Sequence, residues 1–114
     1  MENNDIFNQV KIFTVNSIGV DEDEISEDTR LESDLGVYGD DAIEYVLAFG
    51  MKFNVDVTNF MFSDYFSPEG DFILSAIIRI FTGKKNTKQK ELTIRHLLKA
   101  IKAGRLDEVV INSS

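Results

Sequence analysis

At 114 residues, with 43% apolar side chains and nine phenylalanines, the chain has the material for one folded domain, spanning 1–114, and too little for two. It has no cysteine, which excludes disulfides, thiolate metal sites and a cysteine nucleophile. Its net charge of −8 conceals a split: residues 21–44 hold eleven acidic side chains and one basic, whereas residues 79–105 hold nine basic and one acidic. Such a split marks a partner surface or head-to-tail self-association, or two regions that face each other within one fold.

The opening segment MENNDIFNQV has no basic region followed by an apolar run, so no signal peptide is expected and a cytoplasmic protein is. Ile6, Val10, Phe13 and Ile18 are spaced for a first helix from about Asn4 to Ser17, with Asn3 or Asn4 as cap and Gly19 as stop. The acidic connection over 20–39 has few apolar anchors: Val20, Ile25, Leu31, Leu35 and Val37. A link of that length predicts either a short turn within it or a functional loop, with Thr29-Arg30-Leu31 docking on the core. Asp21 to Glu24 is not a calcium loop, because Ile25 and Ser26 stand where an oxygen ligand and a glycine are needed. No metal is assigned.

Asp34-Leu35-Gly36 and Gly39 form a glycine turn, followed by the clearest element, a second helix from Asp40 to about Phe53. Its apolar residues Ile43, Val46, Leu47, Gly50 and Phe53 fall at helical spacing, and Asp40 and Asp41 suit the positive end of its dipole. Asn54 to Val57 alternates like a short strand or an extended link. Phe60, Phe62, Tyr65 and Phe66 form an aromatic cluster ahead of a turn at Pro68 and Gly70. The cluster reads as core, with a lipid or acyl slot as the alternative. Phe72 to Phe81 reads as a helix, about half a membrane span long and interrupted by Ser75 and Arg79, so no membrane span is expected. A lysine-rich loop over 83–91 leads to a last helix capped by Thr93, burying Ile94, Leu97, Leu98 and Ile101 and ending at Gly104, with Lys99 and Lys102 in its last turn. Residues 107–111 are expected to add a short strand that pairs with 55–57.

Catalytic patterns are thin. His96, the one histidine, lies on the last helix and reads as a structural residue. No GxSxG or HExxH motif occurs, and Gly83-Lys84-Lys85 lacks the upstream glycine and the following Ser or Thr of a phosphate loop. The lysine-rich loop has no interleaved aromatics, and the acidic remainder repels nucleic acid. The chain reads as a non-enzyme with no catalytic residue and no cofactor.

The segment DLGVYGDDAIEYVLAFGMKF resembles the prosthetic-group region of acyl carrier proteins, where a DLG triplet and an Asp-Ser-Leu turn open the second helix. Without gaps, Asp34-Leu35-Gly36 falls on the triplet and Ile43-Glu44-Tyr45-Val46 on the helix, with Ala48, Phe49 and Phe53 in register. Thr29-Arg30-Leu31 and Leu92-Thr93-Ile94 fit the carrier loop and last helix. The resemblance puts Gly39 in the place of the phosphopantetheine-accepting serine, and a glycine has no hydroxyl for that bond. Ser33, Ser63, Ser67 and Ser75 lie outside that register. The GDDA turn, the aromatic run and LTIRHLLKAIKAGRL also resemble, along nearly the whole chain, the small bacterial proteins of the domain of unknown function 1493 family. That resemblance implies a fold and no activity.

Together these readings predict a mainly α, carrier-like bundle of three to four helices with one short β pair. Its core is expected to gather Phe13, Ile43, Val46, Leu47, Phe53, Leu97 and Ile101. The function expected is a protein-interaction or regulatory module that offers Asp40, Asp41 and Glu44 to a partner with a basic surface, as a monomer or weak homodimer. The alternatives are a carrier modified at another serine, and a small lipid binder.

Overall fold

The structure, a computed structural model, describes residues 3–67 and 90–113, with side chains from Asp5 onward. The expected turn at 68–70, the helix over 72–81 and most of the lysine-rich loop lie outside the described residues.

The fold is a helical bundle. Helix α1 spans Asn3–Ile18, a single 3-10 turn covers Glu22–Glu24, α2 spans Gly39–Phe53, α3 Phe62–Tyr65, α4 Ile94–Ala103 and α5 Glu108–Ile111. Asn3 and Asn4 lie within α1, not ahead of it, and the Gly19 amide closes its end on the Val15 carbonyl at 2.8 Å. Val10, Phe13 and Thr14 are the buried face of α1.

Aromatic rings join α1 to α2. Phe13 meets Tyr45 at 5.2 Å, Phe53 at 5.8 Å and Phe49 at 6.3 Å between ring centres. These contacts fix the rotation of α2, and they correct the expected core. Ala42, Tyr45, Val46, Phe49 and Gly50 are buried, whereas Ile43 and Leu47 stand 42% and 48% exposed. Apolar residues occupy nearly every position from Ala42 to Phe49, so hydrophobicity leaves the buried arc undetermined; the ring partners on α1 determine it. Gly50 is glycine because the chain folds back on it after Asn54, which takes a left-handed conformation at φ 57°. A Cβ there would lie 2.8 Å from the Val55 carbonyl oxygen.

The acidic connection is ordered by the approach to α4. Leu31 is fully buried, its amide donates to the Leu92 carbonyl at 2.9 Å, and Arg30 and Thr93 form an antiparallel bridge. The Ile94 amide reaches the Thr29 carbonyl and the Arg95 amide the Glu27 carbonyl. Arg95 pairs with Glu27 at 3.4 Å and with Asp28. Part of the charge split is thus resolved inside the fold, and Thr29-Arg30-Leu31 docks as its composition suggested.

The expected strand pair is absent among the described residues. One parallel bridge, Asp56 with Arg105, ties the link after α2 to the end of α4. The Asp107 side chain caps the next segment by accepting from the Val110 amide at 3.0 Å, so 108–111 wind as α5. The aromatic cluster is core: Phe60, Tyr65 and Phe66 are buried, and Phe60 stacks on Tyr65 at 5.2 Å. Among the described residues no helix is long and apolar enough to cross a membrane.

Candidate functional site

The turn that opens α2 is built by backbone. Asp34, Gly36 and Val37 donate their amides to Arg30, Glu32 and Leu31 carbonyls, closing residues 30–37 into a compact hook. Arg30 clasps Asp34 with two side-chain bonds of 3.0 and 3.1 Å, which hold the Asp34 carboxyl below the usual carboxylate range. Tyr38 then runs extended with no side-chain cap. Gly39 takes φ 61°, a left-handed conformation that glycine adopts without a Cβ clash. Its amide donates to the Ser67 carbonyl at 2.9 Å, and the Ser67 amide donates to a Glu32 carboxylate oxygen at 2.8 Å. Gly39 is therefore backed by the chain segment that leaves α3.

From this start α2 presents one outward ridge. Asp40, Glu44, Leu47 and Met51 recur at intervals of four, three and four residues, so they line one side of the helix, with Ile43 beside them. All five are exposed, Met51 at 86%. The ridge is acidic in its first two turns and apolar in its last two. The expected carboxylates thus share a surface, with Asp41 on its flank, but they share it with Ile43 and Leu47, which were expected in the core.

Beside the ridge lies a groove of about 340 Å³ between the end of α1 and the first half of α2. Asp41 and Glu44 stand on its rim, and Ile18, Val37 and Ala48 form apolar wall. That arrangement suits a lysine or arginine, whose methylene stem packs on apolar surface while its charged end reaches carboxylate. Ser17 and Ile18 belong to this site without any sequence signal, because only the packing of α1 on α2 brings them there. The 40, 44, 47, 51 spacing was the readable signal for the ridge.

The other candidates fall elsewhere. Phe60, Tyr65 and Phe66 fill their space with one another, and Phe62 packs edge-on to Phe60 at 4.9 Å. His96 is a capping residue: its Nδ1 accepts from the Thr93 amide at 3.0 Å, while Thr93 Oγ1 accepts from the His96 amide. Burial, then the charges of Lys99 and Arg95, lower its pKa to about 4. Lys99 donates to the carbonyls of Ile111 and Ser113, holding the chain after α5 against α4. Among the described residues no three metal-ligating side chains converge.

A family model described as Protein of unknown function (DUF1493) matches residues 4–107. The chain is also similar to the acyl carrier protein of Picosynechococcus sp., 34% identical over 55 residues, which are 48% of this chain and 68% of that protein. The acyl carrier protein of Akkermansia muciniphila is 33% identical over 57 residues, 50% of this chain and 71% of that protein.

Proposed function

We propose for this chain, which belongs to the Protein of unknown function (DUF1493) family, a non-enzymatic role as a carrier-like interaction module without a prosthetic-group serine. Its binding element is the α2 ridge, and its partner is a protein with a basic surface. The observation that carries this reading is the exposure of Leu47 and Met51 on the same helical side as Asp40 and Glu44. Carboxylates steer a basic partner toward the helix, and the apolar end gives the contact its hold once water is expelled. The carboxylates also stabilise the start of α2 by roughly 0.3–1 kcal/mol each, and that role and the docking role coexist.

The test replaces Asp40 and Asp41 with Asn and Glu44 with Gln. Immobilised wild-type chain is expected to retain a partner from host lysate at low salt and release it at high salt, while the triple variant retains none. Retention that survives in the triple variant, with only the melting temperature changed, overturns the reading.

One observation favours a second reading. The Gly39 amide bonds to the Ser67 carbonyl, so Ser67 lies beside the residue that the resemblance aligns with the carrier serine. Incubation with a phosphopantetheinyl transferase and coenzyme A, followed by intact mass measurement, decides between the two. An added arm that disappears in Ser67→Ala would replace the interaction module with a working carrier. An unchanged mass leaves the module standing.

A further inference from the structure

We propose that the groove between α4 and α5 receives the α2 ridge of a second copy of this chain, in a head-to-tail contact. The inference rests on the reading of α2 as a docking ridge and names its partner. Internal pairing accounts for much of the charge split: Glu22 with Lys11, Asp34 with Arg30, Glu27 and Asp28 with Arg95, and Asp107 with Arg105. Among the described residues no ion pair joins Asp41 or Glu44 of α2 to Lys102 or Arg105. Asp41 and Glu44 on one face and Lys102 on the other are therefore exposed, complementary and not closed on each other.

Their shapes and apolar parts also correspond. The groove, about 540 Å³, is lined by Lys102, by Lys99 and Arg105 with their internal partners, and by Ala103, Val109 and Val110. Val109 is 68% exposed there, an apolar side chain left uncovered beside cations. The ridge offers the converse, with the Glu44 carboxylate followed by Leu47 and Met51. A contact between two different faces does not close on itself as a two-fold dimer does, so it yields rings or open chains. The net charge of −8 makes copies repel on average, which confines attraction to this one orientation and keeps it weak. Salt screens both the repulsion and the local attraction, so charge exchange is the sharper test.

Sedimentation of the full chain from about 20 to 500 µM is the measurement, starting from the monomer mass of 12.9 kDa. The wild type is expected to gain mass with concentration. The Asp41→Lys, Glu44→Lys double variant turns the ridge basic toward a basic groove, and Lys102→Glu replaces the groove's exposed ammonium with a carboxylate facing the acidic ridge; each is expected to stay monomeric. Mixed in equal amounts they restore opposite charges at every contact, and association is expected to return. Circular dichroism confirms that the exposed substitutions leave the helices intact. A wild type that keeps the monomer mass throughout, an association that neither variant weakens, or a mixture that does not associate overturns the proposal. A monomeric wild type whose triple amide variant still loses salt-sensitive capture overturns only the self-contact and leaves the α2 reading standing.

Discussion

Thr14 Oγ1 and Tyr45 OH lie 2.7 Å apart in the core, linking α1 to α2 through their side chains. Thr14 Oγ1 is also 2.8 Å from the Val10 carbonyl, and only a hydroxyl hydrogen can make that bond. The Thr14 proton therefore goes to Val10, and the Tyr45 phenol donates to Thr14. Burial raises the Tyr45 pKa, so the phenol stays neutral and remains a donor. The polarity of the chain predicts unequal costs. Tyr45→Phe removes a donor and leaves Thr14 bonded, for about 1 kcal/mol. Thr14→Val strands the phenol in an apolar site and costs roughly 1–3 kcal/mol. Urea denaturation should place the Thr14→Val midpoint below that of Tyr45→Phe, with both slopes unchanged; the reverse order would show that the proton assignment is inverted.

Gly50 offers a test of how tightly the chain turns after α2. In an exposed helix, Gly→Ala stabilises by up to about 1 kcal/mol. Here the added methyl would sit 2.8 Å from the Val55 carbonyl and 3.2 Å from a Val57 methyl. The Val55 amide is bonded to the Gly50 carbonyl, so the backbone has little room to retreat. Gly50→Ala is expected to destabilise by about 1–3 kcal/mol, the range for overpacking. A midpoint at or above that of the wild type would mean that the turn relaxes freely.

Legibility followed the strength of local signals. α4 was readable because Thr93, the Ile94, Leu97, Leu98 spacing and Gly104 are a cap, a stripe and a stop that agree. The docking of Thr29 to Leu31 was readable because Leu31 is an apolar side chain in a run of acids. The phase of α2 was not, since its apolar residues surround most of the helix and long-range contacts with Phe13 choose among them. Residues 107–111 read as a strand from two adjacent valines, yet the Asp107 cap outweighed β propensity. The acidic half of the candidate surface was legible as charge, whereas its apolar half depended on that undetermined phase.

His96 makes stability depend on pH. Its pKa is about 4 in the fold against 6.5 for the free side chain. The unfolded chain binds a proton at a pH where the folded one does not, so stability is fully present above 6.5 and is lost as pH falls toward 4. A shift of this size in a fully buried ring would be worth about 3 kcal/mol, and partial exposure with solvent screening reduces it to roughly 1–2 kcal/mol. The cause is geometric as well as electrostatic, since Nδ1 must stay unprotonated to accept from the Thr93 amide. Urea midpoints measured from pH 7.5 to 4.5 should fall for the wild type and change less for His96→Gln. Equal slopes in the two proteins would remove His96 as the source.

Gly39 joins the fold to the functional reading most directly. Its φ of 61° suits glycine, is tolerated by asparagine and strains other side chains by about 1–2 kcal/mol. Stability is therefore expected to fall in the order Gly, Asn, Ala, with serine close to alanine. The amide bond to Ser67 is made by backbone and is available to the wild type and all three variants, so it does not account for the order. A serine placed at residue 39 would supply the hydroxyl that the proposed reading finds lacking there and would still start from a strained turn. Thermal melts of Gly39→Asn, Gly39→Ala and Gly39→Ser check this. If Gly39→Ser melts with the wild type, the backbone imposes no barrier there, and the departure from a carrier rests on the side chain alone.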